Sequence, residues 1–339
     1  MRNLYFVPML IFILLVAPYF LSETVVYLLG LTFIFIIYVV SWDLVAGQTG
    51  QVNLGHTVFI GIGGYTTALL QNSYRFKNFI DFLAEIGPLP IWLTIILGGM
   101  HALLVGLVVG IVCLRLRGHY LALVTAILPL IFVQIINIYS QVFGGYEGFS
   151  IGFNKVLARD ITLRYYIVMA VCLIILTLIY LLVNSKIGVK LRAIRDDEKL
   201  AESVGINVVK YKLMAFCISA FFAGIAGALA VHYRLTVGLD LFDIPLMLLI
   251  ILAAIVGGLG NFWGAILGAV TVYLLKNWIV KSAISLARLP LHDEIVLYFL
   301  LVLLILKAPN GLFTRVYELY KNYTLKKFRV KNWKLKGKS

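Results

Sequence analysis

Charge is scarce in this sequence: only 13% of its 339 residues are Asp, Glu, Lys or Arg, against about 25% in an ordinary soluble domain. With 62% hydrophobic residues and a mean hydropathy of +1.00, too few charges remain to solvate a globular surface, and a water-soluble fold is excluded. Acidic residues are the scarcest, 15 against 29 basic ones. In a soluble chain that imbalance would suggest nucleic acid, but here the cations sit in a few loops between apolar runs, where a membrane surface accounts for them. Cysteine is rare too. Cys113, Cys172 and Cys217 all fall inside apolar runs without metal-ligand spacing and read as small buried hydrophobes, not as a disulfide or metal set. H-E-x-x-H does not occur, and G-x-S-x-G occurs once, at 148–152, inside a stretch that reads as an exterior loop and not as a strand-to-helix turn, so no intramembrane hydrolase constellation is in view. A phosphate-cradling G-x-x-x-x-G-K-[ST] loop is also missing, because the terminal GKS at 337–339 has Asn332 where the first glycine must stand.

What is present is a succession of long apolar runs. A helix needs about 20 mostly apolar residues to cross a bilayer core, and runs occur at 4–21, 25–42, 54–71, 91–114, 119–138, 165–183, 211–232, 244–258, 262–280 and 294–308. The expected fold is therefore all-α: a polytopic integral membrane protein of about ten transmembrane helices. The run after Met1-Arg2-Asn3 lacks a clear cleavage site behind Leu21 and reads as a retained first span. The third and eighth runs are short and glycine-rich, as broken or re-entrant helices are. Cytoplasmic loops are enriched in Lys and Arg. Segment 184–212 holds seven cations and the tail from Arg315 holds nine. The ten-span arrangement puts both inside with Arg2, Arg115 and Arg117, so both termini are expected in the cytoplasm, with 1–314 as the membrane domain and 315–339 as a basic tail.

Three segments carry more than bulk hydrophobicity. SWDLVAGQTGQVNLGH (41–56) interrupts the apolar pattern with Asp43, Gln48, Gln51, Asn53 and His56 among glycines. Such backbone at membrane depth is tolerated where it is buried in protein or lines a wet cavity, while a plain turn between two spans accounts for it equally; Asp43 is placed near the interface. SKIGVKLRAIRDDEKLAESVGINVVKYK (185–212) spaces Ile187, Leu191, Ile194, Ala201 and Val204 at helical intervals among eleven charged residues. It predicts an amphipathic surface helix that ends near Gly205, its apolar stripe covered by lipid headgroups or by a groove on a soluble partner. GIAGALA (224–230) and AAIVGGLGNFWGAILGA (253–269) repeat small residues every three or four positions, which suits close helix packing; the glycines around Asn261 also suit a turn that opens a cavity. His101, His119 and His232, in or near spans, read as packed or interfacial residues. FGGYEGFSIGFN (143–154) reads as an exterior loop.

At DLVAGQTGQVNLGH with the following GIGGYTTALL, at GVKLRAIRDDEKLAESVGINVVKYKLMAFCISAFFAGIAGALA, and at GGLGNFWGAILGA and APNGLF, the chain resembles the LivM-type permeases of branched-chain amino acid ABC importers. The wider group also serves urea, simple amides, other amino acids and sugars. The resemblance implies that 188–205 is a cytoplasmic coupling helix docking on an ATPase subunit, with Gly188, Arg192, Arg195, Asp196, Glu198 and Gly205 matching the family pattern and Asp197 replacing a common Asn. It implies a prokaryotic inner-membrane complex with ATP-binding cassette subunits, a second, LivH-like permease chain and an extracytoplasmic binding protein, in which ATP is bound by the partner and this chain, with no cofactor of its own, breaks no bond. Gln48, Gln51, Asn53, His56 and Asn261 are the candidate lining of the path. A stand-alone secondary transporter or channel is the rival class, although the acidic residues here cluster at span ends and loops instead of deep in the spans.

Overall fold

The computed structural model describes residues 12–77, 85, 89–113, 119–280 and 298–299. They are almost wholly helical: α1 (Glu23–Thr49), α2 (His56–Gln71), α3 (Ile91–Cys113), α4 (His119–Ile138), α5 (Ile161–Asn184), α6 (Lys186–Asp196), α7 (Glu198–Ser203), α8 (Val208–Arg234), α9 (Ile244–Gly257) and α10 (Phe262–Leu274). Six stretches, 23–49, 91–113, 120–138, 161–184, 208–234 and 239–257, are long and apolar enough to cross a membrane, so the chain is an all-α, multi-pass membrane protein. The apolar helices α2 and α10 are shorter. Of the ten expected spans, the first is described only from residue 12, and the last lies outside the described residues except at 298–299. Arg2, Arg115, Arg117 and the basic tail lie outside them too. The chain divides into two compact units, residues up to Ile250 and residues from Ile251 onward.

In the first unit α8 is the hub, packed against α1, α2 and α3, with α5 laid on α1. Burial follows this arrangement: 78% of the apolar window of α8 is buried, against 22% for α4. Residue size explains why α8 takes the centre. Its buried face is built largely from Ala215, Ser219, Ala220, Ala223, Gly224, Ala226, Gly227 and Ala228, and small residues let backbones approach closely where lipid offers no hydrophobic drive for association. At this junction a methyl group on Gly98 of α3 would lie 2.7 Å from the Gly63 carbonyl oxygen of α2, and one on Gly224 of α8 would lie 2.9 Å from the Gly98 carbonyl oxygen. Methyl groups on Gly63 and Gly227 would overlap the carbonyls of Gly224 and Ile60. Three backbones meet there without intervening side chains. Larger groups fill the periphery, as where Phe59 packs edge-on against Phe216 and Phe33 tilts against Tyr165.

The helices leave two distinct ends. The charged end gathers the C-termini of α1 and α5, the N-termini of α2 and α8, and the α6–α7 segment between α5 and α8. The loop end carries a two-residue antiparallel pair, Phe149–Ser150 with Thr236–Val237, in the register Phe149↔Val237 and Ser150↔Thr236. Four single helical turns lie here, Ser73–Phe76, Ser140–Phe143, Gly145–Glu147 and Phe153–Lys155. Gly144, Gly145, Gly148 and Gly152 all have positive φ in this loop, a conformation that costs a side-chain-bearing residue about 1–2 kcal/mol.

In the second unit the GGLGN segment both turns the chain and packs closely. Gly258 (φ +96°) and Gly260 (φ +76°) make the turn between α9 and α10, and Gly257 meets Gly264 backbone to backbone across it.

The glycine junction gives a direct prediction. Gly63→Val or Gly227→Val should lower stability by about 1–3 kcal/mol or more, because backbone atoms cannot move aside as side chains do. Gly152→Ala has open space around it and should cost only the strain of its backbone conformation (φ +86°, ψ 149°), roughly 1–3 kcal/mol, and less than either valine variant. Unfolding midpoints of the three variants in detergent check this ordering.

Candidate functional site

The charged end holds nearly all the residues singled out in the sequence. Ser185 begins α6 by accepting a hydrogen bond from the Ile187 amide, Asp197 begins α7 through Leu200, and Asn207 begins α8 through Lys210. Each cap satisfies an amide that has no partner within its helix. The expected single amphipathic helix is thus two, because Asp197 adopts an extended conformation (φ −156°, ψ 112°) that stops α6 and caps α7. Gly188 lets α6 turn tightly under α5, since a methyl there would overlap the Val183 carbonyl. Gly205 (φ +84°) has open space around it, so it serves the turn into α8 by conformation alone.

Much of the apolar stripe of this segment is covered by the chain itself. Leu191, Ile194 and Ala201 are buried, the last two packing with Val208, Ile206 and Tyr211 at the start of α8. Val204 departs from the expected stripe and is 68% exposed. Val189, Leu200 and Val209 are exposed with it, so the segment presents a second set of apolar side chains to the outside.

Its two arginines turn inward. Arg195 Nη1 donates to the Gly47 carbonyl at 2.9 Å, and its stem lies over Gly50, whose φ of +74° ends α1. Arg192 Nη1 donates to the Val183 carbonyl at 2.9 Å and to Gln48 Oε1 at 3.4 Å. Both guanidinium groups therefore sit on carbonyls at helix C-termini, where the peptide dipoles favour positive charge. Asp196, mostly exposed, pairs with Arg195 at 3.3 Å, while Glu198 pairs with the nine-tenths-buried Lys212 of α8 at 2.7 Å. Four charged residues thereby bind α6 and α7 to the ends of α1, α5 and α8.

Directly above lies the corner between α1 and α2. Ser41 to Thr49 continue α1, and only residues 50–55 leave the helix, so most of the polar segment is helical. Trp42 Nε1 donates to the Asn53 carbonyl at 2.7 Å, the Gly55 amide donates to Asn53 Oδ1 at 2.8 Å, and the Leu54 amide donates to Thr125 Oγ1 of α4 at 3.0 Å. His56 Nε2 lies 3.0 Å from Ser41 Oγ, and Ser219 of α8 donates to the Ser41 carbonyl at 2.6 Å. Asp43, Gln48, Gln51, Asn53 and His56 are all buried. Gln51 Oε1, Asn53 Nδ2 and His56 Nδ1 have no hydrogen-bond partner among the described residues. Asn261 belongs to the second unit, where its Oδ1 accepts from the Gly264 amide at 3.3 Å and caps α10.

A second polar cluster, at the loop end, has no counterpart in the sequence reading. Nδ1–H of the buried His232 donates to the Lys155 carbonyl at 2.7 Å, its Nε2 lies 2.9 Å from Thr67 Oγ1, and Thr67 and Thr94 are 2.8 Å apart. The Lys155 ammonium binds the Gln71 carbonyl and, at 2.7 Å, Asn72 Oδ1 at the C-terminus of α2, and burial holds its pKa below the usual lysine value. One loop residue thus joins α2 to α8. Thr67, Thr94 and His232 are separated by 27 and 138 positions, and threonine is ordinary in apolar helices, so only His232 stood out in the sequence.

Comparison with known proteins agrees with this layout. Residues 24–306 match the family model described as branched-chain amino acid transport system / permease component. The LivM permease protein of the high-affinity branched-chain amino acid transport system is 28% identical in Escherichia coli K12, covering 87% of this chain and 71% of that protein. In Salmonella typhimurium it is 29% identical over 91% and 74%. A probable LivH permease protein of Methanocaldococcus jannaschii is 28% identical over 57% of this chain and 63% of its own length. No solved structure matches. On these matches, which run from α1 past α10, the chain belongs to the family of permease components of branched-chain amino acid transport systems.

Proposed function

We propose that this chain is the membrane-spanning permease subunit of an ABC importer for branched-chain amino acids in the inner membrane of a prokaryote. It pairs with a second, LivH-like permease, receives the solute from an extracytoplasmic binding protein, and is driven by ATP-binding cassette subunits that hold and hydrolyse ATP. The observation that carries this reading is the two-sided α6–α7 segment. It is too charged to enter a bilayer, its inner face is tied to three membrane helices, and its outer face still exposes Val189, Leu200 and Val204, with Val209 beside them at the start of α8. Apolar side chains left exposed on a charged surface segment suit a groove on a soluble protein better than lipid headgroups. A stand-alone transporter has no use for such a surface.

In this reading the coupling residues divide into two roles. Asp196 and the exposed valines and leucine meet the ATPase. Arg192, Arg195 and Glu198 pass its displacement into the ends of α1, α5 and α8, with Gly188 and Gly205 shaping the turns on either side. The buried corner of Gln48, Gln51, Asn53 and His56 is then the first part of the membrane domain to receive the motion, and its unpartnered polar atoms become available to the solute path only when the corner opens. Residues 1–314 act as the membrane domain and 315–339 as the basic cytoplasmic tail.

Reconstitution of the four-component complex in vesicles tests the function. ATP-dependent accumulation of leucine that requires the binding protein is expected; uptake by this chain alone, without ATP, would sink the proposal. Within the working complex, Arg195→Ala together with Arg192→Gln should leave ATP hydrolysis running while uptake falls by about tenfold or more, the rate equivalent of losing at least one charge-assisted hydrogen bond. The pair Glu198–Lys212 makes a separate prediction about stability. Glu198→Gln leaves the buried Lys212 ammonium without its counter-charge and should cost about 1–3 kcal/mol, at the lower end because Glu198 is partly exposed. Adding Lys212→Met should recover much of that loss, as a double-mutant cycle of unfolding midpoints would measure.

A further inference from the structure

The structure puts a polar pair where lipid would otherwise lie. His101 is the eleventh residue of the 23-residue α3, roughly 15–18 Å from its two ends along the helix axis, which is close to mid-depth in a bilayer core of about 30 Å. It is exposed. Its Nδ1 lies 2.7 Å from Thr66 Oγ1 of α2, and its Nε2 has no partner among the described residues. The same side of α3 exposes Leu104 and Val108, so the surroundings of the imidazole are aliphatic. An imidazole nitrogen left bare in hydrocarbon costs several kcal/mol, and ionisable side chains at such depth face a bundle interior or a wet cavity.

We infer that Thr66 and His101 line the solute path at mid-depth, with His101 Nε2 facing the charged head group of the amino acid and Leu104 and Val108 facing its aliphatic side chain. A single polar group set in an apolar wall is how small-molecule sites combine affinity with orientation, and a zwitterion with a branched aliphatic side chain is complementary to both parts. Thr66 acts as the positioning residue, since its hydroxyl occupies Nδ1 and directs Nε2 away from α2. The inference rests on the importer reading above and adds to it the place where the solute is held.

The test is thiol accessibility in the assembled complex, in a background lacking Cys113, Cys172 and Cys217. His101→Cys should react with a membrane-impermeant, charged methanethiosulfonate roughly tenfold or more faster than Ile174→Cys, because the reactive thiolate forms only where water reaches it; leucine should slow the reaction. Ile174 is exposed near the middle of α5, at similar depth but on a helix to which the inference gives no part of the path. Complexes that import leucine with native His101, yet label position 101 no faster than 174, overturn this inference alone. So does disulfide capture of position 101 by the second permease chain. Failure of ATP-driven leucine uptake with the native chain overturns the importer reading itself.

Discussion

Backbone contact among α2, α3 and α8 is the constraint on which the rest of the first unit depends. In a bilayer, apolar side chains gain nothing by leaving lipid for another apolar helix, so association must come from close packing and from hydrogen bonds. Gly63, Gly98, Gly224 and Gly227 supply the packing, because each stands where a methyl would meet a carbonyl of a neighbouring helix. Polar contacts then fasten both ends of the same bundle. At the loop end Thr67, Thr94 and His232 join α2, α3 and α8; at the charged end Ser219 reaches from α8 to the Ser41 carbonyl of α1.

This layout gives the charged end a mechanical character. α1, α5 and α8 end or begin there, and α6 and α7 are fixed to all three through Arg192, Arg195 and the Glu198–Lys212 pair. The contacts are to helix termini, where exposed carbonyls offer strong acceptors to a guanidinium. In the proposed importer, a displacement of α6 and α7 would therefore act through these helix ends and not only through the covalent links to α5 and α8. The tight junction of small residues lies deeper in the bundle, where it can serve as the fulcrum.

The sequence made some of this legible and hid the rest, for physical reasons. Apolar runs of span length are visible because a helix must cover the hydrocarbon thickness, and the crossings at α1, α3, α4, α5 and α8 lie where those runs are. Small residues repeated along GIAGALA pointed to close packing, since spacing on one helix is a local property. The α6–α7 segment was visible by its charge, and its break at Asp197 was not, because the same residue suits a helix surface and an N-cap. The direction of Arg192 and Arg195 was hidden as well. A long flexible side chain reaches inward or outward from the same backbone position, and the acceptor for Arg195 is a main-chain carbonyl 148 positions away, which no side-chain pattern announces. The polar segment 41–56 was readable as unusual, yet its division into helix end, six-residue corner and helix start depends on contacts with Thr125 and Ser219 from distant helices.

In the proposed importer, α6 and α7 move together with the end of α1 when the ATP-binding cassette subunits close. The most direct measurement is a pair of spin-label distances in the assembled transporter, taken with ATP and with ADP. One pair joins the exposed Lys199 of α7 to the exposed Val52 at the charged end; the other joins Lys199 to the exposed Tyr146 at the loop end. The first distance is expected to stay constant between the two states while the second changes. A change in the distance from Lys199 to Val52, with the distance to Tyr146 unaltered, would contradict this motion.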